Sequence, residues 1–257
     1  MIRVERREGG IGWITVDRPA ARNAMTFAMW RALRDGVREL DADDGVRAVV
    51  IASSASEAFI AGTDIAEFRA FEDAGDGVAY EHRIDEVITA IEDVRVPTVA
   101  AIAGACTGGG VSVALACDLR IGAANARVGI PIARTLGNCI SLKTMARAGA
   151  VLGLDAVKRL IFSAELLDAP AALRAGFLSE ILPENDTLHA RATDVATGIA
   201  SRAPLTLKVT KEMARRIRRA APLPSDEDLV RICYGSDDFR EGLTSFLDKR
   251  RPRWSGT

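Results

Sequence analysis

The chain has 257 residues, 48% of them hydrophobic and 27% charged, a globular balance that excludes a disordered or collagen-like polymer. Its 34 Lys and Arg against 35 Asp and Glu leave a net charge of −1, so no general electrostatic pull toward nucleic acid or an anionic membrane is expected. No apolar run approaches the roughly 20 residues that span a bilayer, and the basic start (Arg3, Arg6, Arg7) has no apolar signal core behind it, so a cytoplasmic protein is expected.

In chain order, residues 12–17 alternate and stop at Arg18-Pro19, as a strand entering a turn does. Thr26 is placed to cap a helix whose apolar positions Met29, Leu33, Val37 and Leu40 recur at spacings of three and four. Residues 47–52 form a β-branched run that predicts a strand covered on both faces. A helical pattern around Ile84, Val87, Ile88 and Ile91 ends before Pro97, and residues 98–102 read as another buried strand. This strand leads through Gly104 into Gly108-Gly109-Gly110 and an apolar stretch, 111–116, that reads as a buried helix; short strands are expected at 119–121 and 127–129. Strands alternating with helices argue for an α/β core. Beyond residue 183 the pattern is helical, with a basic helix at 207–219 and a charged amphipathic helix at 239–249. The expected division is an α/β core over 1–195 and a helical region over 196–257.

Four constellations could carry chemistry. Ala61-Gly62-Thr63-Asp64 follows a strand, and its small residues leave backbone N–H groups open to a ligand; it also reads as an ordinary tight turn with Asp64 capping the next helix. Residues 104–110 combine glycines with a helix start, where N–H groups can face negative charge, although close helix–strand packing asks for the same glycines. No lysine follows, so this is not a phosphate loop, and the dinucleotide fingerprint GxGxxG is absent. Gly110-Val111-Ser112-Val113-Ala114 resembles a nucleophile elbow without its last glycine, but only His189 follows Ser112, and a buried helical serine is the better reading. The loop 130–139 mixes Arg134, Asn138 and Cys139 into an apolar context that suits a pocket wall. His82 and His189 lie far apart, and the four cysteines form no CxxC pair, so reduced thiols and no metal site are expected.

Together these segments resemble the crotonase, or enoyl-CoA hydratase/isomerase, superfamily. The resemblance runs from Val16-Asp17-Arg18-Pro19 and Arg22-Asn23-Ala24, through Ala61-Gly62-Thr63-Asp64-Ile65, Pro97 to Gly110 and Ala116-Cys117-Asp118-Leu119, to Leu167-Asp168-Ala169 and the tail Phe239 to Pro252. It implies a crotonase-like α/β spiral of ββα units with a helical C-terminal trimerisation region, trimers that often pair into hexamers, and a CoA thioester as substrate, with no further cofactor. By the same resemblance the backbone N–H groups of Thr63 and Gly109 form an oxyanion hole. Arg22, Ala24, Ala61, Asp64 and Ile65 would line the CoA path, and Phe246 and Lys249 would reach the CoA of a neighbouring subunit. The two glutamates of hydratases match Ser112 and Ile132, neither of which can shuttle a proton near neutrality, so ordinary hydration is not expected. Replacement candidates for the acid, base or nucleophile are Asp85, Ser112, Asn138 and Cys139. Alternatives are a thioester hydrolase or dehalogenase-like enzyme using residues 134–139, and a non-catalytic acyl-CoA-binding protein.

Overall fold

The computed structural model describes residues 1–183 and 185–257. Strand β1 (Ile2–Arg7) pairs antiparallel with β2 (Ile11–Val16). All six β2 residues are buried, where alternation in the sequence predicts one wet face. The reason is that both faces are covered: Ile14 and Val16 join the main core, while Ile11 and Trp13 join a second one. Helix α1 (Phe27–Asp41) starts as expected, with Thr26 Oγ1 accepting from Met29 N at 3.2 Å. Its stripe of Met29, Leu33, Val37 and Leu40 is buried, each apolar side chain contributing about 1.5–3 kcal/mol.

A repeated pattern then begins. Strands β3 (Ala48–Ser53) and β4 (Ala58–Ile60) are followed by a 3-10 segment over Ile65–Ala70 and by α2 (Ala74–Asp93). Strands β5 (Thr98–Ile102) and β6 (Ala105–Thr107) lead to α3 (Gly109–Ala116), then β7 (Leu119–Ala123), β8 (Arg127–Gly129) and the single turn α4 (Ile132–Thr135). Helices α5 (Leu142–Leu152) and α6 (Leu154–Ser163) precede β9 (Leu167–Asp168), α7 (Ala169–Arg174) and β10 (Glu180–Leu182). The last four helices are α8 (Asn185–Ala200), α9 (Pro204–Arg219), α10 (Glu227–Tyr234) and α11 (Asp237–Leu247).

From β3 onward, each ββ pair sends one strand to each of two sheets. The larger sheet runs β1-β2-β3-β5-β7-β10 and the smaller β4-β6-β8-β9. Pairing is parallel throughout except for β1 with β2 and β8 with β9. The chain therefore coils as a spiral of ββα turns, the crotonase-like α/β arrangement.

The main core lies between the two sheets and α1, α2 and α3; the second lies between the large sheet and α8, through Leu188, Ala192 and Ala196. The division expected at 195/196 falls inside α8, a helix that packs on the sheet. Helix α10 returns to α2, and α11 brings Phe239 against Phe68 (ring centroids 6.0 Å apart). Helix α9 buries no residue and leaves Leu205, Val209, Met213 and Ile217 exposed at four-residue spacing.

Candidate active site

Because β4 and β6 are parallel neighbours, with Ala58 opposite Ala105 and Ile60 opposite Cys106, their C-terminal ends deliver two turns to the same edge of the small sheet. Thr107 Oγ1 donates to Ala61 O at 3.1 Å and ties the turns together. Gly62 has φ +105°, which opens the first turn to a conformation that side chains rarely adopt. Gly110 solves a different problem: a Cβ there would stand 2.1 Å from Ile60 O, so only glycine lets α3 begin against β4.

The first turn is held from one side. Met25 N donates to Gly62 O and Asp64 N to Met25 O, each at 2.8 Å, which faces the intervening Thr63 N–H the other way. Gly109 is the first residue of α3, where helix geometry provides no acceptor for N–H. Among the described residues, neither Thr63 N–H nor Gly109 N–H has an intramolecular acceptor. Both residues line a cavity of about 90 Å³, walled also by Phe68, Tyr80, Pro131, Ile132, Leu136 and Asn138. None of its described lining residues is Asp, Glu or His. A larger cleft of about 610 Å³, lined by residues of α2, α5 and α9, touches neither turn. Its Arg147, Arg218 and Arg219 are engaged with Glu92 and Asp93, so it offers ion pairs, not open donors.

Two polar networks reach the small cavity. Trp30 Nε1–H donates to Thr63 Oγ1 at 3.0 Å, and Thr63 Oγ1 lies 2.6 Å from Tyr80 Oη. Burial, reinforced by the charge of Glu81, pushes the Tyr80 hydroxyl well above the ordinary phenol range, so it stays protonated. On the other wall Asn138 Nδ2–H donates to Tyr234 Oη at 3.1 Å, and Tyr234 O–H donates to Glu81 Oε1 at 2.7 Å. Asn138 Oδ1 is buried with no partner. Desolvation pushes Glu81 up to about 8, against the lowering effect of the Tyr234 hydrogen bond.

Of the residues singled out in the sequence, Ala61, Thr63, Ile65, Gly109, Ile132 and Asn138 meet at this cavity. Ser112 is a buried residue of α3 and is not among the lining residues. Asp85 is also elsewhere: on α2 it accepts from Ser141 Oγ at 2.9 Å and lies 3.4 Å from Arg147 Nη1. Cys139 lies outside the lining, where contact with the Cys233 thiol, together with burial, pushes its own thiol upward and away from nucleophilic character. Asp64 both caps the 3-10 segment, through Ala66 N at 3.1 Å, and pairs with Arg18 at 2.7 Å. Arg18 also donates to Ala24 O, while Arg22 is exposed in a left-handed conformation (φ 50°). Phe246 and Lys249 are exposed and do not line the cavity. The sequence reading missed Trp30, Tyr80, Tyr234 and Glu81. Tyr80 carries a detectable signal, the one aromatic hydroxyl on the helical segment between the two turns.

A family model described as enoyl-CoA hydratase/isomerase matches residues 6–257. The chain belongs to the enoyl-CoA hydratase/isomerase family. It is an acyl-CoA-processing enzyme of that family, similar to the mitochondrial methylglutaconyl-CoA hydratase of Mus musculus (31% identical over 260 residues; 98% of this chain, 82% of that protein). It is likewise similar to the short-chain-enoyl-CoA hydratase of Clostridium acetobutylicum (28% identical over 248 residues; 95% and 94%). Among solved structures it resembles an enoyl-CoA hydratase/carnithine racemase from Magnetospirillum magneticum (TM-score 0.81, 28% identity; 100% and 96% covered). It also resembles a methylmalonyl-CoA decarboxylase complexed with 2-nitronate-propionyl-CoA (TM-score 0.89, 26% identity; 100% and 98%). Among the described residues of this family member, no group of three or more His, Cys, Asp or Glu side chains could hold a metal ion. Among the described residues, no helix is long and apolar enough to cross a membrane.

Proposed function

We propose that the protein polarises the carbonyl of a CoA thioester between the N–H groups of Thr63 and Gly109, and that it does so without the paired carboxylates that hydration requires. The observation that carries this reading is a cavity with two unengaged main-chain donors and no described Asp, Glu or His in its lining. Preformed donors act on charge that appears as the thioester becomes an enolate, and removing one from an enzyme typically costs about 3–4 kcal/mol of transition-state stabilisation. Ile132 presents an aliphatic side chain where a water would have to be activated. Arg22, Ala24, Ala61, Asp64 and Ile65 then follow the CoA arm outward. Phe246 and Lys249 serve the CoA of a neighbouring subunit in a trimer, for which the exposed apolar stripe on α9 is the supporting observation.

The missing base favours a specific chemistry within this class. A substrate that carries a carboxylate on its α-carbon needs no proton abstraction: cleavage of the C–CO₂⁻ bond leaves its electron pair on the enolate that the two N–H groups stabilise. The structural likeness to a methylmalonyl-CoA decarboxylase agrees with this choice. The test is a panel of crotonyl-CoA, malonyl-CoA and methylmalonyl-CoA with purified protein. CO₂ release without significant hydration is expected; hydration of crotonyl-CoA with kcat of roughly 10 s⁻¹ or more would remove the argument from Ile132.

A further inference from the structure

We infer that the hydroxyl pair Tyr80–Thr63 is the proton donor to the α-carbon of the bound thioester enolate. This assignment rests on the decarboxylation reading above and names the group that completes it.

The indole N–H of Trp30 can only donate, so it occupies a lone pair of Thr63 Oγ1 and leaves the threonine hydrogen free to point elsewhere. The two oxygens are 2.6 Å apart, so one of the two hydroxyl hydrogens lies between them. Whichever residue donates in that bond, one O–H remains, and no other described residue accepts from either oxygen. Both residues line the cavity, and Thr63 contributes one of the open N–H groups from its own backbone. The surplus hydrogen is therefore carried by a residue of the thioester-binding turn or by its direct partner. The cavity's described lining supplies no carboxylic acid or imidazole to compete with it.

The step balances. Loss of CO₂ leaves the electron pair in the enolate; that pair then forms a C–H bond at the α-carbon as the hydroxyl O–H breaks, and the thioester carbonyl is restored. The charge settles on the Tyr80 oxygen, the more acidic of the two, which accepts from the Thr63 hydroxyl that the Trp30 N–H holds in place; that oxygen then takes a proton from water, so each turnover consumes one solvent proton. A phenol or alcohol is a stronger acid than the α-carbon of a thioester, and the transfer runs downhill.

The experiment has two readouts that fail separately. The stretching frequency of a ¹³C=O-labelled propionyl thioester reports carbonyl polarisation, and the enantiomeric purity of the deuterated product formed from the α-methyl-α-carboxy thioester in D₂O reports protonation. Wild type is expected to lower the frequency and give one enantiomer. Tyr80→Phe is expected to keep the frequency shift, lower kcat ~10–100-fold and give a racemic product. If Tyr80→Phe melts far below wild type, Thr63→Val reports instead, because it unhooks Tyr80 from the indole while leaving the backbone N–H in place. No frequency shift in wild type overturns the oxyanion reading. A shift with no CO₂ release, or a Tyr80→Phe enzyme that keeps both rate and enantiomeric purity, overturns the assignment of the donor.

Discussion

Replacing Glu81 by Gln tests the buried network behind the cavity through stability. Glu81 is buried, faces the hydroxyl of Tyr234 and stands near Asp85, and desolvation lifts it from 4.5 to about 8. Below pH 4.5 the carboxyl is protonated in both the folded and the unfolded chain. Between 4.5 and 8 the unfolded chain has released the proton and the folded chain keeps it, so folding stability falls as pH rises; above 8 the loss is complete. Each pH unit inside that window is worth about 1.4 kcal/mol, which makes the whole loss roughly 5 kcal/mol at most. Gln has the same shape and no titration. Urea unfolding at pH 5.5, 7 and 8.5, at fixed protein concentration so that association does not intrude, should show the variant gaining roughly 3 kcal/mol on wild type across the range. A stability difference that stays constant with pH would refute the claim that Glu81 is held protonated by its surroundings.

Gly110→Ala places a Cβ 2.1 Å from Ile60 O, so β4 and α3 must separate; a cost of about 1–3 kcal/mol in melts and a fall in turnover of about 100-fold are expected, the second because the paired donors move. Arg147→Met leaves Asp85 and Glu92, both buried, without their shared cation. Denaturant titration should show a loss of about 3–5 kcal/mol, most of it recovered when the two acids are also replaced by Asn and Gln. Met213→Glu puts a charge in the middle of the exposed apolar stripe of α9. Light scattering should show a smaller particle than wild type, and an unchanged mass would remove that helix from the proposed subunit contact.

The spiral was legible because its strongest signals are local. Thr26 before a stripe at three and four, the β-branched run at 47–52 and the glycines around 108–110 each report one element without reference to the rest. What was not legible depends on partners far away in the chain. Residues 2–7 expose most of their side chains, so their pattern lacks the buried face that marks a strand; only pairing with β2 makes them one. Ala105–Thr107 is too short to show a period and is a strand because β4 and β8 flank it. The same limit applies at the site. The turns at 61–64 and 107–109 announce themselves by small residues, whereas Tyr80 sits in α2 among ordinary helical residues. Its meaning comes from a threonine 17 positions earlier and an indole from α1. Asp85, equally plausible in sequence, turns toward Arg147 and Ser141 instead.

The ββα spiral separates two jobs that many enzymes give to the same residues. The unengaged amides of Thr63 and Gly109 belong to main chain at the ends of adjacent strands, so their spacing is inherited from sheet pairing and survives side-chain drift that respects the glycines. In the function proposed above, Tyr80 and Ile132 face the acyl chain from intervening helical segments, α2 and α4, where substitution need not disturb that spacing. Such an architecture lets one framework exchange reactions by rewriting a few helical positions.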